Sequence, residues 1–236
     1  MGLADLHMHT IYSYDGTATV PAVLKRAKQI GLDIIAITDH DEIRGALLAE
    51  QLAPQIGIQV IPGVEITTAE GDLLALSIRK LIPAGLSLRE TLLRVGEQDG
   101  FCVAPHPMAG GMGMKSLSAF SIRQALRDDV TARILIGIET YNATTLDRNG
   151  NTASKILAEH SGVSQTGSSD AHVLEAIGLG ATIFPGNSLS DLVSALWTGT
   201  TLVQKGPEWG AARVLSKWVA GYILSVPAHI NSAMAQ

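Results

Sequence analysis

The sequence predicts an α/β fold organised around a largely parallel sheet. Short apolar runs, such as DIIAIT at 33–38 and FCVAP at 101–105, alternate with segments of amphipathic helical spacing. Roughly seven such units follow one another in 236 residues, with no linker or low-complexity segment between them. A parallel sheet of this size either closes into a barrel or stays an open doubly wound sheet, and the pattern leaves both open.

The predicted elements follow one another in a regular order. The first helix ends at Gly31, and its apolar face is formed by Val20, Val23, Leu24, Ala27 and Ile30. Later strands are predicted at 58–66, 73–78, 101–105, 132–141, 163–167 and 179–184. Later helices are predicted at 43–53, 86–95, 118–128, 153–160 and 188–197, the last with a capping box formed by Ser188 and Asp191.

Composition restricts the classes of partner. A net charge of -5 and a pI near 5.8 provide no general basic field for long nucleic acid, and aromatic residues at 4% form no evident stacking platform. The single cysteine, Cys102, lies in an apolar run and is predicted to be a buried, inert thiol. The start of the chain lacks signal-peptide features, and the segment WVAGYILSV is far shorter than the ~20 residues of a membrane span. We therefore expect a cytoplasmic protein without membrane contact.

Residues that bind metals follow the ends of the predicted strands. Five of the seven histidines lie at such positions, whereas His160 and His229 do not and are interpreted as ordinary polar residues. Because the carboxyl ends of barrel strands converge on one face, these imidazoles and carboxylates predict a metal site there. In chain order the candidates at strand ends are His7, His9, Asp39, His40, Asp41, Glu65, His106, Glu139, Asn142, Asp170 and His172.

The number of candidate ligands indicates more than one ion. A catalytic zinc takes about three protein ligands, and considerably more candidates converge here. The carboxylates Asp15, Glu65 and Asp170 are suited to bridging neighbouring cations. Ions about 3.5–4 Å apart hold a hydroxide at neutral pH and clamp phosphoryl oxygens, so the pattern favours phosphoester hydrolysis with two to three divalent ions.

Five motifs occur together in this sequence: DLHMHTIYSYDG, TDHD, GVEIT, the pair His106-Pro107, and SSDAH. This ordered set resembles the PHP (polymerase and histidinol phosphatase) superfamily of metal-dependent phosphoesterases, from about Asp5 to His172. The resemblance implies a distorted (β/α)7 TIM-like barrel with a trinuclear site, usually of manganese, zinc or iron; magnesium is also compatible. Residues 1–200 would form this single-domain barrel. Residues 201–236 would be an extension that packs on the barrel or at an interface, with a helix broken at Pro227.

The resemblance also implies a ligand assignment. His7 and His9 would bind one ion, with Glu65 as the bridging carboxylate and Asp170 completing that site. A second ion would be held by Asp15, His40 and His172, and His106 would belong to the third. The acidic residues expected to orient the imidazoles are Asp5, Asp39 and Asp41.

One position departs from the family pattern. Many relatives carry a histidine in the strand after GVEI(S/T), where this chain has Asp72. If Asp72 is a ligand, it favours harder metals such as manganese or magnesium over zinc. The alternative is that Asp72 only starts a strand.

The expected function is hydrolysis of a small phosphomonoester or an (oligo)nucleotide by attack of a metal-bridging hydroxide. The ligands His7, His9, Glu65, His106, Asp170 and His172 would carry the chemistry. Candidate contacts to the substrate are Lys115, Asn142 and Arg148.

Two other classes stay open. The first is a metal-dependent amidohydrolase acting on a C–N or C–O bond, although its usual bridging lysine is missing from the predicted strand ends. The second is a noncatalytic metal-binding module. The sequence leaves the oligomeric state open.

Overall fold

A single curved sheet forms the centre of the molecule. Within residues 1–110 and 114–234, which this computed structural model describes, nine strands make up that sheet. The strands are β1 (Gly2–Asp5), β2 (Ile34–Ile37), β3 (Gln59–Thr67), β4 (Asp72–Leu76), β5 (Phe101–Ala104), β6 (Leu135–Asn142), β7 (Ser164–Ser168), β8 (Gly180–Phe184) and β9 (Leu202–Lys205). The helices are α1 (Val20–Gln29), α2 (Arg44–Ile56), α3 (Leu88–Gly96), α4 (Ala119–Arg127), α5 (Arg148–Ser161), α6 (Leu189–Thr198) and α7 (Ala211–Met234).

The strand order is β7-β6-β5-β4-β3-β2-β1-β8-β9. Neighbours among β1, β2 and β3, and among β5, β6 and β7, are parallel, as predicted. The exception is β4, which runs antiparallel to both of its neighbours. Residues 68–71 link it to β3, and so short a connection makes a hairpin rather than a parallel crossover. Beyond β1, the strands β8 and β9 add an antiparallel edge.

The two ends of the β1–β7 arc meet where the predicted ligands lie. Met8 and Ala171 form a parallel bridge, and the His9 amide donates to the Ala171 carbonyl at 2.9 Å. The Asp170 amide in turn donates to the His7 carbonyl, also at 2.9 Å. The sheet is therefore nearly closed, which confirms the predicted distorted barrel and excludes an open sheet.

Apolar packing covers the opposite end of the barrel. One buried cluster joins residues at the starts of strands, including Ile34 and Phe101, to Leu192 and Leu196 of α6. Helix α6 begins with the predicted capping box of Ser188 and Asp191. The face that carries the strand ends is thus left available for polar side chains.

Two helices differ from the sequence prediction. Helix α5 begins at Arg148 rather than at 153, because the Asp147 side chain accepts hydrogen bonds from two amides of the first turn. The prediction that Pro227 breaks the last helix is wrong, since α7 continues through it. Contacts on both sides hold the helix: Trp218 donates to the Asp15 carbonyl at 2.8 Å, and His229 Nε2 lies 2.9 Å from the Gly16 carbonyl.

Residues after 200 contribute to the sheet as well as to α7. Strand β9 pairs with β8, and α7 then packs beside the loop that carries Asp15.

Cys102 is free and buried, as predicted. In the part of the chain that the structure describes, no helix has both the length and the apolar character needed to cross a bilayer.

Removal of one buried side chain from α1 tests the assignment of its core face. Leu24 is fully buried in the main apolar cluster, whereas its neighbour Lys25 is exposed. We expect Leu24→Ala to lower the free energy of unfolding by about 2–5 kcal/mol, because it leaves a cavity. Lys25→Ala should change it by less than about 0.5 kcal/mol. Urea denaturation measures both, and equal effects of the two substitutions would contradict the assignment.

Candidate metal centre

Glu65 lies at the centre of the polar face. It is fully buried at the end of β3, and its two carboxylate oxygens contact different imidazoles. Oε2 lies 3.1 Å from His7 Nε2, 3.3 Å from His9 Nε2 and 3.2 Å from His40 Nδ1. Oε1 lies 3.0 Å from His106 Nε2. The carboxylate thus reaches imidazoles that come from three different strand ends.

Asp170 forms a compact triangle with the first two histidines. Its Oδ1 lies 3.4 Å from His7 Nε2 and 3.2 Å from His9 Nε2, and the two Nε2 atoms are 3.2 Å apart. Among the described residues, this buried oxygen has no hydrogen-bond partner of good geometry. Ligand atoms at about 2.0–2.1 Å from a tetrahedral ion are roughly 3.3 Å from one another. The spacing therefore fits a small divalent cation.

A third set of contacts is built around Asp15. Its Oδ2 lies 3.2 Å from His172 Nε2 and 3.4 Å from His40 Nε2. The His9 ring stacks against each of these two imidazoles, with centroid distances of 4.2 Å to His172 and 4.5 Å to His40. The other carboxylate oxygen of Asp15, Oδ1, is buried with no hydrogen-bond partner among the described residues.

These contacts define three overlapping groups whose candidate ligand atoms lie within 4.8 Å of one another. His7 and His9 each belong to two groups. All of the predicted metal residues except Asp72 take part. The groups are His7, His9 and Asp170; His7, Glu65 and His106; and His9, Asp15, His40 and His172.

The second nitrogen of three imidazoles is held by a neighbouring side chain. His7 Nδ1 lies 3.1 Å from Glu139 Oε1, and His9 Nδ1 lies 3.1 Å from Ser13 Oγ. His106 Nδ1 lies 3.2 Å from Ser116 Oγ. Such partners fix the ring so that its Nε2 faces the centre. The sequence placed Glu139 at a strand end but did not indicate this role.

The acidic residues expected to orient the imidazoles bind backbone amides instead. Asp5 accepts from the amides of Ser169 and Gly178, both at 3.0 Å. Asp39 accepts from the Thr10 amide at 2.6 Å and from the Thr10 hydroxyl at 2.8 Å. Asp41 accepts from the Thr67 amide at 2.8 Å. These carboxylates therefore hold the loops that carry the ligands, and that part of the interpretation is corrected.

Backbone strain is concentrated in the same loops. The non-glycine residues Asp41, His106 and Asp170 have φ values of 48°, 30° and 51°. L-residues rarely adopt this region, and such outliers cluster at functional sites. A hydrogen bond from the His106 amide to Glu139 Oε2 at 2.7 Å helps to hold that conformation.

Buried carboxylates and imidazoles keep one another charged. Burial alone would raise the pKa of Glu65, but the charges of His7 and His40 outweigh it and hold that pKa well below its usual range. Burial alone would lower the pKa of His40 and of His172. Glu65 and Asp15 nevertheless raise the pKa of His40 to about 9, and Asp15 and Asp170 raise that of His172 to about 9. A divalent cation replaces such imidazole protons as the compensating charge, because metal binding releases protons from its ligands.

Asp72 and Asn142 lie beside the ligand groups. Asp72 Oδ1 accepts from the Thr67 hydroxyl at 3.0 Å, and its Oδ2 accepts from the Lys115 amide at 3.2 Å. Asn142 Nδ2 donates to Glu139 Oε2 and to Asp170 Oδ2, both at 3.0 Å. The fully buried Asn142 thus positions two carboxylates and does not line the adjacent cavity.

The two cationic residues predicted to contact the substrate lie outside the lining of the adjacent cavity. Lys115 is exposed and is not part of the cavity lining. The Arg148 guanidinium donates to the carbonyls of Ala143 at 3.3 Å and Trp209 at 3.2 Å. Neither cation therefore lines the cavity beside the ligand groups.

A cavity of about 430 Å³ opens onto the ligand groups. This volume falls within the range of small-molecule sites. Asp15, His40, Glu65, His106, Asp170 and His172 face it. The rest of the described lining is mainly apolar and includes Met114, Leu146, Val173, Ala176, Trp209, Val214 and Trp218. Neither the tryptophans nor Tyr14, which stacks on His40 at 5.1 Å, was anticipated from the sequence.

Comparison with known proteins identifies relatives. Uncharacterized protein MJ1587 of Methanocaldococcus jannaschii is 35% identical over 168 residues, which cover 66% of this chain and 92% of that protein. Phosphoribosyl 1,2-cyclic phosphate 1,2-diphosphodiesterase of Eggerthella lenta is 38% identical over 65 residues, only 28% of this chain and 24% of that enzyme.

A solved structure supports the fold. A two-domain protein from Bacteroides vulgatus, containing a predicted PHP-like metal-dependent phosphoesterase, matches with a TM-score of 0.70 and 19% identity. The match covers 93% of this chain and 69% of that one. The sequence itself matches the PHP domain over residues 5–176, a range that contains all three ligand groups. The chain therefore belongs to the PHP domain family.

Proposed function

We propose that this chain is a metal-dependent phosphoesterase that hydrolyses a small phosphomonoester or a short nucleotide. The observation that carries the proposal is that three groups of candidate ligands lie side by side at an open cavity, with the two oxygens of Glu65 reaching His7 and His106. Each imidazole Nε2 binds one ion, whereas a carboxylate can bridge two, and neighbouring ions clamp the oxygens of a phosphoryl group.

The donor set supports binding of two to three divalent ions. Mixed imidazole and carboxylate ligands suit manganese, zinc or iron, and magnesium is compatible where carboxylates dominate. In this proposal the ions are held by His7, His9, Asp15, His40, Glu65, His106, Asp170 and His172. Bound there, divalent ions lower the pKa of water and neutralise phosphoryl charge.

The protein's own contribution is orientation. Glu139, Ser13 and Ser116 fix three imidazoles, and Asn142 holds the Asp170 carboxylate. Because most of these groups are buried, no rearrangement of solvent is needed when charge develops on the substrate.

The relatives agree with this chemistry at the level of reaction class. The Eggerthella lenta relative is named as a diphosphodiesterase of a cyclic phosphate, and the Bacteroides vulgatus structure as containing a phosphoesterase. The first match covers about a quarter of either chain, so its substrate is not transferred to this protein.

Metal analysis of the purified protein, paired with phosphate release, tests the proposal. The panel comprises p-nitrophenyl phosphate, bis-p-nitrophenyl phosphate, histidinol phosphate and nucleotides, each with added manganese. Two to three bound ions and released phosphate are expected. Bound ions without phosphoester cleavage would direct attention to amide and lactone substrates, and absence of both would favour a noncatalytic module.

Loss of the paired histidines should remove activity. We expect His7→Ala and His9→Ala each to lower kcat/KM by at least about 100-fold, since even residues that only orient metal ligands contribute about 10–100-fold. His160→Ala is the matched control, because His160 is exposed on α5 and bonds only to its own helix backbone. Full activity in either test variant would refute the proposed role of its imidazole.

Ion binding should also stabilise the fold independently of catalysis. At a free ion concentration about 100 times Kd, binding adds about 2.7 kcal/mol, equivalent to roughly 5–10 °C in Tm for a chain of this size. We expect EDTA-treated protein to show this rise in Tm when manganese is added, and His7→Ala to show much less of it. An identical rise in wild type and variant would place the ions elsewhere.

The Glu139 carboxylate should act through His7. Glu139→Gln keeps the size of the side chain but weakens the contact with His7 Nδ1, so metal affinity or kcat/KM should fall about 10–100-fold. Glu159→Gln, on the exposed face of α5, is the control and should behave as wild type. Excess metal should restore part of the lost activity if the defect lies in metal affinity. Unchanged affinity and activity in Glu139→Gln would count against this positioning role.

A further inference from the structure

Three of the apolar residues that line the cavity come from the C-terminal segment. Trp209 precedes α7, and Val214 and Trp218 lie on its first turns. These three residues, here called the apolar wall, lie beyond residue 176, where the match to the PHP domain ends. The apolar wall is therefore separate from the family motifs.

Polar contacts hold this wall against the site. The Arg148 guanidinium donates to the Trp209 carbonyl at 3.2 Å, and the Trp218 indole donates to the Asp15 carbonyl at 2.8 Å. Asp15 belongs to one of the ligand groups. The segment is thus fixed at a defined distance from the ions that the proposed function requires.

The cavity offers neither lysine nor arginine to a substrate. None of the described lining residues is of either type, and the undescribed stretches at 111–113 and 235–236 contain neither. The Asp72 carboxylate, which belongs to none of the ligand groups, does face the cavity. A single phosphoryl group would be met by the bound ions, but a second anionic group near Asp72 would be repelled.

The threonine hydroxyl groups that line the cavity are already engaged, and among the described lining residues only Tyr14 adds another hydroxyl. The Thr144 hydroxyl donates to the carbonyls of Ser169 at 3.1 Å and Asp170 at 2.9 Å. The Thr145 hydroxyl faces Met114 Sδ at 3.8 Å and accepts from the Asp147 amide at 3.3 Å. A sugar or polyol would lose its water contacts here without gaining equivalent partners.

We infer that the substrate is a phosphomonoester of an apolar, uncharged alcohol whose hydrocarbon part packs against Trp209, Val214 and Trp218. This inference rests on the proposed function and narrows its substrate class. In the reaction, water attacks phosphorus and the bond from phosphorus to the ester oxygen breaks. The oxygen of water ends in phosphate, and one of its protons ends on the alcohol.

Primary alkyl phosphates of similar intrinsic reactivity test the inference on the metal-loaded full chain. The apolar probe is 2-phenylethyl phosphate; glycerol 1-phosphate supplies hydroxyls, 3-phosphoglycerate adds a carboxylate, and a nucleoside 5′-monophosphate adds a sugar and base. We expect kcat/KM to be highest for 2-phenylethyl phosphate, at least about tenfold above each of the others.

Substitution of Val214 tests the wall directly. Val214→Ser should lower the preference for 2-phenylethyl phosphate over glycerol 1-phosphate about fivefold, mainly through a higher KM. Its neighbour Leu215 is 62% exposed and does not line the cavity, so Leu215→Ser should keep the wild-type preference. Circular dichroism of both variants establishes that each is folded.

The outcomes separate this inference from the proposed function. If no ester in the panel releases phosphate with metal bound, the phosphoesterase proposal fails. If phosphate is released but any of the three polar esters is preferred, or if Val214→Ser and Leu215→Ser behave alike, the phosphoesterase proposal stands and the apolar substrate class is overturned.

Discussion

Compensation of buried negative charge is the constraint on which the polar face of this barrel depends. Glu65 and Asp170 lie almost wholly out of water, where an unpaired carboxylate is very unfavourable. Each is surrounded by imidazoles, and the charges of those imidazoles hold the pKa of both carboxyls well below the usual range. The centre is thus organised around positive charge, which divalent ions would supply in the proposed enzyme.

That constraint explains why so much of the surrounding structure holds the backbone. Asp5, Asp39 and Asp41 bind amides of the loops that follow the strands, and the bridge between Met8 and Ala171 joins the segments that carry His7 and Asp170. Positive φ values at His106 and Asp170 persist because these contacts determine the loop conformation. The ligands are therefore placed by a rigid frame rather than by their own flexibility.

The C-terminal segment contributes apolar residues to the cavity that adjoins the ligand groups. Strand β9 extends the sheet, and α7 then packs beside the Asp15 loop, with Trp209 and Trp218 lining the same cavity as the ligand groups. The family motifs supply most of the polar residues of the cavity lining. The C-terminal segment supplies part of the apolar lining, through Trp209, Val214 and Trp218. The Trp218 indole connects the polar and apolar parts of the lining, because it donates a hydrogen bond to the backbone carbonyl of the candidate ligand Asp15.

The sequence by itself determined the alternation of strands and helices, the ligand types and the strand ends that carry them, because hydrophobic periodicity and motif order are local properties. The family resemblance had implied that His7, His9 and Asp170 share an ion. Only the tertiary structure decided the distances at which they meet, since His7 and Asp170 come together across the closure of the barrel. It also decided that Glu139, and not Asp5 or Asp39, holds an imidazole, and that Arg148 binds backbone rather than facing the cavity. The continuity of α7 through Pro227 was likewise decided by contacts with the Asp15 loop. Such contacts join residues far apart in the chain, and their distances depend on how the strands pair and close, which no local pattern encodes.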